Sequence, residues 1–140
     1  AYARFWQCLP FAQSPAPGYG LFATNAAGRA RWGEFPAIIS DDTFVRLQFQ
    51  PHERVQVAAR YVWPMIEGFA ALTRVRRRQD AGVAEIDRLY PGLLAREAKV
   101  GLSKTRLLRL ALRDPIGFAC YAAVSASVRL KRGGGWARGR

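Results

Sequence analysis

Arg54-Val55-Gln56-Val57-Ala58-Ala59-Arg60-Tyr61-Val62-Trp63 is the run on which the fold class turns. Val55, Val57, Ala59, Tyr61 and Trp63 occupy alternate positions, and side chains two apart share one face of an extended strand. β-branched and aromatic residues suit that conformation, and Pro64 closes the run. A second extended piece is expected at Tyr19-Gly20-Leu21-Phe22-Ala23-Thr24, with Gly18 and Gly20 at its start. Strands set among helices predict an α/β chain.

Outward from these strands the pattern is helical. Tyr2, Phe5, Trp6 and Leu9 recur at three and four residues, which predicts a helix that Pro10 interrupts. Residues 13–18 read as a loop by their Pro and Gly content, and alanine-rich Asn25 to Trp32 as a short helix. Ser40-Asp41-Asp42 reads as a helix start. Ser40 is the expected N-cap, and two aspartates in the first turn suit the positive end of the helix dipole. Phe44, Val45 and Phe49 would form its buried side. Ile66, Phe69, Ala70, Leu72 and Val75 predict a long helix to about Leu89, with Gly82 a candidate break and Pro91-Gly92 the turn after it. In the last third Leu102, Leu107, Leu108, Leu110 and Leu112 are interleaved with Lys104, Arg106, Arg109 and Arg113. Asp114-Pro115 restarts a helix. Residues 115–128 carry no charge. This run is too short to span a hydrocarbon layer of about 30 Å, so a packed or interfacial helix is expected.

With 140 residues, one domain or one piece of a domain is the natural expectation. Half of the residues are hydrophobic, enough for a modest core. The formal charge of +12 calls for an anionic partner: nucleic acid, a phosphate-bearing ligand or lipid headgroups. An Arg- and Ala-rich composition also follows from a GC-rich genome. Cys8 and Cys120 are far apart, which argues against a disulfide framework or a zinc site. His52, the single histidine, sits in a Gln50-Pro51-His52-Glu53 turn, where a solvated loop residue is the plain reading. The chain starts at Ala1 without a signal-peptide pattern, as a segment of a longer protein would.

The order of motifs between Gly18 and Glu85 resembles family 2 glycosyltransferases downstream of their metal-binding motif. The residues that carry the resemblance are Gly18-Tyr19-Gly20, Gly28-Arg29-Ala30-Arg31-Trp32, Phe35-Pro36, Ile39-Ser40-Asp41-Asp42-Thr43-Phe44 and Arg74-Val75-Arg76-Arg77-Arg78-Gln79. The resemblance implies an α/β fold, the C-terminal part of a GT-A (Rossmann-like) domain followed by basic amphipathic helices. It implies an acceptor-side part over 1–98, a basic, apolar helical segment over 99–132 that suits a membrane surface, and a disordered tail over 133–140. The implied activity is inverting transfer of a sugar from a nucleotide-sugar donor to a glycan or lipid-linked acceptor. Asp42 matches the family's general base, which takes the acceptor hydroxyl proton, and Asp41 the acid before it. Gly18, Gly20 and Trp32 match the acceptor side. Arg74, Arg77, Arg78 and Gln79 match the diphosphate-binding stretch, although Arg78 stands where processive members carry Trp. Mg²⁺ or Mn²⁺ is implied for the whole enzyme, with no metal ligands in this chain, because no Asp-x-Asp is present.

The plainer readings are helix capping for Asp41 and Asp42, a solvated helix face for the arginines and a core position for Trp32. The resemblance and the basic C-terminus together imply a cytoplasmic location at the inner face of the cell membrane, on anionic lipid. The rival is a basic module that binds nucleic acid or a membrane surface without catalysis. Against nucleic acid stand the lack of a helix-turn-helix, zinc or RNA-binding signature and the spread of basic residues over several segments.

Overall fold

The computed structural model describes residues 1–14, 21–59, 62, 64, 66–97 and 101–130. Its elements are helices: α1 (Tyr2–Gln7), α2 (Ala26–Arg29), α3 (Asp41–Leu47), α4 (Phe69–Leu89), α5 (Lys104–Arg113) and α6 (Pro115–Leu130), with 3₁₀ turns at Phe11–Gln13, Pro51–Glu53 and Leu93–Glu97. They divide into two compact units. The first holds Ala1–Ser14, Arg60–Arg78 and Val100–Arg140, and the second Pro15–Ala59 and Gln79–Lys99.

No strand occurs among the described residues. The α/β expectation is therefore corrected, and with it the GT-A fold and the membership in family 2 glycosyltransferases that the motif order implied. A GT-A domain is built on a central sheet, and alternation alone cannot make one, because each strand needs a neighbour for its N–H and C=O groups. Residues 54–59 have no regular structure and no such neighbour, and Val55, Val57 and Val62 are largely solvated. Leu21 and Phe22 of the other expected strand are also exposed. Tyr61, Trp63, Tyr19 and the tail 133–140 lie outside the described residues.

In the first unit the spacing of Tyr2, Phe5 and Leu9 turns all three inward. Tyr2 packs with Val124 and Val128 of α6, alongside Trp6, Leu72 and Tyr121. Phe5, 1% exposed, lies 5.6 Å from the Phe118 ring and 5.3 Å from the Tyr121 ring. The link between α5 and α6 is fixed by Asp114. Its carboxylate accepts from the backbone N–H of Gly117 at 3.0 Å and from Arg4 at 2.8 and 2.9 Å. These bonds, that from Arg4 first, hold the Asp114 carboxyl down at about 2. A Cβ on Gly117 would overlap that carboxylate, which accounts for glycine there.

In the second unit Trp32, Phe44, Val45, Leu47 and Ile86 form the core, with Ile38, Phe49, Tyr90, Leu93 and Leu94 packed against them. Gly82 does not break α4, which runs unbroken through it. Gly82 is buried, and a Cβ there would overlap Ser40, which accounts for glycine at this position. Arg31 donates to Glu53 at 2.9 Å, and the N–H of Gln50 donates to the same carboxylate at 2.7 Å. Arg31 above all, then this N–H, lowers the Glu53 carboxyl to about 2. Arg54 donates to the carbonyls of Phe49 and Arg96, and burial lowers its pKa.

Candidate functional site

Two places gather groups that can act on a partner: the start of α3 in the second unit and the outer side of α5 and α6 in the first.

The start of α3 is held from α4. Glu85 Oε2 accepts the N–H of Ile39 at 2.8 Å, and Gly82 leaves room for Ile39 and Ser40 to approach the helix. Phe44, Val45 and Leu47 bury the other side of α3. Arg46 Nη2 meets Glu97 Oε2 at 2.7 Å, the two side chains only 9% and 7% exposed. Removing one member of such a pair strands a charge away from water. Ser40 stands at the N-cap but its hydroxyl makes no capping bond, because it is turned against Gly82. The aspartates take the free N–H groups instead. Asp41 Oδ1 accepts from Asp42 N–H at 2.9 Å, and Asp42 Oδ1 from Thr43 N–H at 2.7 Å. Neither carboxylate has a cationic partner among the described residues, although the chain carries 22 Lys and Arg against 10 Asp and Glu. Asp42 is half-buried and Asp41 exposed. A carboxylate held in this way, with an oxygen to spare, can accept a proton from a hydroxyl brought within hydrogen-bond reach.

The other residues singled out in the sequence are dispersed. Trp32, 8% exposed, is in the same core as Phe44, one turn into α3. Gly18 and Gly20 lie outside the described residues. Gln79 is exposed on α4. Arg74, Arg77 and Arg78 belong to the first unit, where Arg74 and Arg78 face solvent. Arg77 Nη2 donates to the Ser127 carbonyl at 2.9 Å and so ties α4 to α6. No group of three or more His, Cys, Asp or Glu residues stands together among the described residues.

The outer side of α5 and α6 joins exposed apolar side chains to basic ones. Ser103 caps α5, its hydroxyl accepting from Arg106 N–H at 3.2 Å. Leu107, Leu110 and Ala111 are half-buried against the unit, while Leu108 and Leu112, one turn apart, are 60% and 75% exposed. Ile116, beyond the Asp114 break at the start of α6, is 68% exposed. Arg109 and Arg113 each follow one of these leucines, and Lys104 lies one turn before Leu108. Lys104, Arg109 and Arg113 have no acidic partner among the described residues, since Asp114 is taken by Arg4. Exposed Ala119, Cys120, Ala123 and Leu130 continue the apolar side along α6. No helix is long and apolar enough to cross a membrane among the described residues. The leucine–arginine alternation was visible in the sequence. Which leucines stay outside was not, because that depends on where α6 packs.

Set against known protein families, curated proteins and solved structures, the chain matches none of them.

Proposed function

We propose that the chain is a peripheral membrane module that rests on an anionic lipid surface through α5 and the start of α6. The observation that carries this reading is the exposed pair Leu108 and Leu112 on α5, with Ile116 exposed at the start of α6, beside Lys104, Arg109 and Arg113, which have no acidic partner among the described residues. Fully burying a leucine or isoleucine side chain is favourable by about 1.5–3 kcal/mol, and each Lys or Arg near an anionic leaflet adds about 1 kcal/mol. Neither contribution holds a chain by itself; three apolar side chains and three charges together do. An interfacial helix of this kind lies in the plane of the headgroups. That accords with a site at the inner face of the cell membrane and with α5 and α6 being too short to span it. Flotation of the chain with phosphatidylserine-containing vesicles, against phosphatidylcholine alone, tests the reading. Equal recovery on both, or none on either, contradicts it. Retention on DNA or RNA at physiological salt, with no preference for anionic vesicles, would favour the nucleic-acid alternative.

A second reading concerns chemistry, and it rests on Asp41 and Asp42 rather than on any family or fold. Their carboxylates are free of cations at a helix start pinned by Glu85 and Gly82, in a chain where Asp114, Glu53 and Glu97 are all paired. This supports Asp42 as a base toward a hydroxyl; inverting sugar transfer from a nucleotide-sugar donor to a glycan or lipid-linked acceptor is the reaction it would serve. Nucleotide and metal binding would come from residues beyond those described. In a protein containing this chain, Asp42→Asn is expected to lower transfer at least about a hundredfold, the scale of a lost general base, while donor binding persists. Unchanged turnover contradicts this reading and leaves the membrane reading standing.

A further inference from the structure

A third gathering of groups lies on α4. Arg74, Arg77 and Arg78 stand three and four residues apart on this helix, so they share one face within about one turn. Guanidinium groups at this spacing repel one another, and an acid within reach would relieve the repulsion. The three have no acidic partner among the described residues, where the ion pairs belong to Arg4, Arg31 and Arg46. Asp80, the nearest acid along α4, is already engaged. The arginines differ in freedom. Arg77 is half-buried, and its Nη2 donates to the Ser127 carbonyl at 2.9 Å, which fixes it against α6. Arg74 and Arg78, on either side of it in the sequence, are exposed and donate to no group among the described residues. All three, with Ser127, belong to the first unit. One anchored guanidinium thus stands between two free ones on a single helix face.

We propose that Arg74, Arg77 and Arg78 bind a phosphomonoester, carried by a small soluble compound or by a lipid headgroup. Such a group has a charge of about −1.5 to −2 at pH 7 and three acceptor oxygens. Guanidinium forks match those oxygens in pairs and do not lose their proton. A phosphodiester brings one negative charge and fewer free oxygens, so it satisfies fewer of the three arginines. The proposal stands apart from both readings above, since it uses neither α5 nor the aspartates.

The test is a ¹H–¹⁵N titration of the 140-residue chain with glycerol 3-phosphate at constant ionic strength, read at the arginine Nε–Hε resonances. Saturable shifts are expected at Arg74, Arg77 and Arg78, with exposed Arg88 of the same helix unmoved. Arg74→Gln and Arg78→Gln should each weaken binding about fivefold, the scale of one partly solvated charged hydrogen bond. Arg88→Gln removes the same charge and should leave binding unchanged. Dimethyl phosphate, a diester, should bind at least about fivefold more weakly than the monoester. Shifts as large at Arg88 as at Arg78, or binding indifferent to Arg78→Gln, overturn the site. Dimethyl phosphate binding as tightly as glycerol 3-phosphate overturns the assignment of a monoester. Flotation separates the two sources. Weaker recovery of Arg78→Gln on phosphatidic acid vesicles, but not on phosphatidylserine vesicles, assigns the phosphate to a lipid. Weaker binding of glycerol 3-phosphate alone assigns it to a soluble compound. A chain that floats on neither vesicle contradicts the membrane reading, while the glycerol 3-phosphate titration still decides this site.

Discussion

Asp114 and Glu53 show how single residues set the pH range of this chain. In the fold both carboxyls titrate near 2, against ordinary values of 3.8 and 4.5. The unfolded chain therefore binds protons more readily, and stability falls as the pH drops. The contribution of Glu53 is complete above about 4.5, that of Asp114 above about 3.8, and both are lost on the way down to about 2. Thermal unfolding followed from pH 6 to pH 2 should show this decline, and Asp114→Asn should flatten its part of it. Both side chains are partly solvated, so added salt should shrink the effect. Gly117→Ala acts on the same carboxylate sterically and should lower the melting temperature by roughly 2–6 °C. Gly82→Ala gains roughly 1 kcal/mol of helix propensity. It also forces a methyl to within 3.0 Å of Ser40 Cβ and 3.1 Å of Ile39 Cγ2. Overpacking of about 1–3 kcal/mol outweighs the gain, so urea unfolding should show a net loss.

Among the elements, α3 depends on a contact distant in sequence. Glu97 is nearly buried against Arg46, so Arg46→Met alone should cost about 3–5 kcal/mol by leaving that carboxylate uncompensated, whereas Arg46→Met with Glu97→Leu should recover most of the loss. A double-mutant cycle in urea reads the difference; equal losses in the single and double variants would contradict it. The same distinction between local and distant causes decides what could be read in the sequence. Tyr2, Phe5 and Leu9, the capped Lys104–Arg113 helix and the Asp114-Pro115 restart are fixed by neighbours within four residues, and their pattern was legible. The alternation Val55, Val57, Ala59 satisfies a strand's side-chain period, but a strand exists only if another chain segment pairs with it. None of the described residues does, so the pattern pointed to an α/β fold that the molecule does not have. Asp41 and Asp42 were legible as a helix start, but the loss of Ser40 as cap was not. It follows from Gly82, forty-two residues on. The open groove beside Trp32 was not legible for the same reason: its lining comes from Arg31 to Gln48 and from Tyr90 to Arg96, and no local motif joins them.

Taken whole, the described residues are helical in a strongly basic chain, and Asp114, Glu53 and Glu97 are each held by an arginine. Lys104, Arg109 and Arg113 on α5 have no acidic partner among the described residues and stand beside leucines that packing has left in water. At 60% and 75% exposure, Leu108 and Leu112 contribute little to the fold. Replacing both with glutamine should leave the melting temperature within a few degrees of wild type, because surface changes are usually within about 0.5 kcal/mol. The loss should appear at the membrane instead. The decisive measurement is flotation of the wild-type chain and of Leu108→Gln/Leu112→Gln on phosphatidylserine-containing and neutral vesicles, at low and physiological salt. The account predicts that the wild type floats with the anionic vesicles, less so as salt rises, and that the variant binds at least about tenfold more weakly while still folded. A folded variant that floats as well as the wild type, or a wild type indifferent to lipid charge, would contradict it.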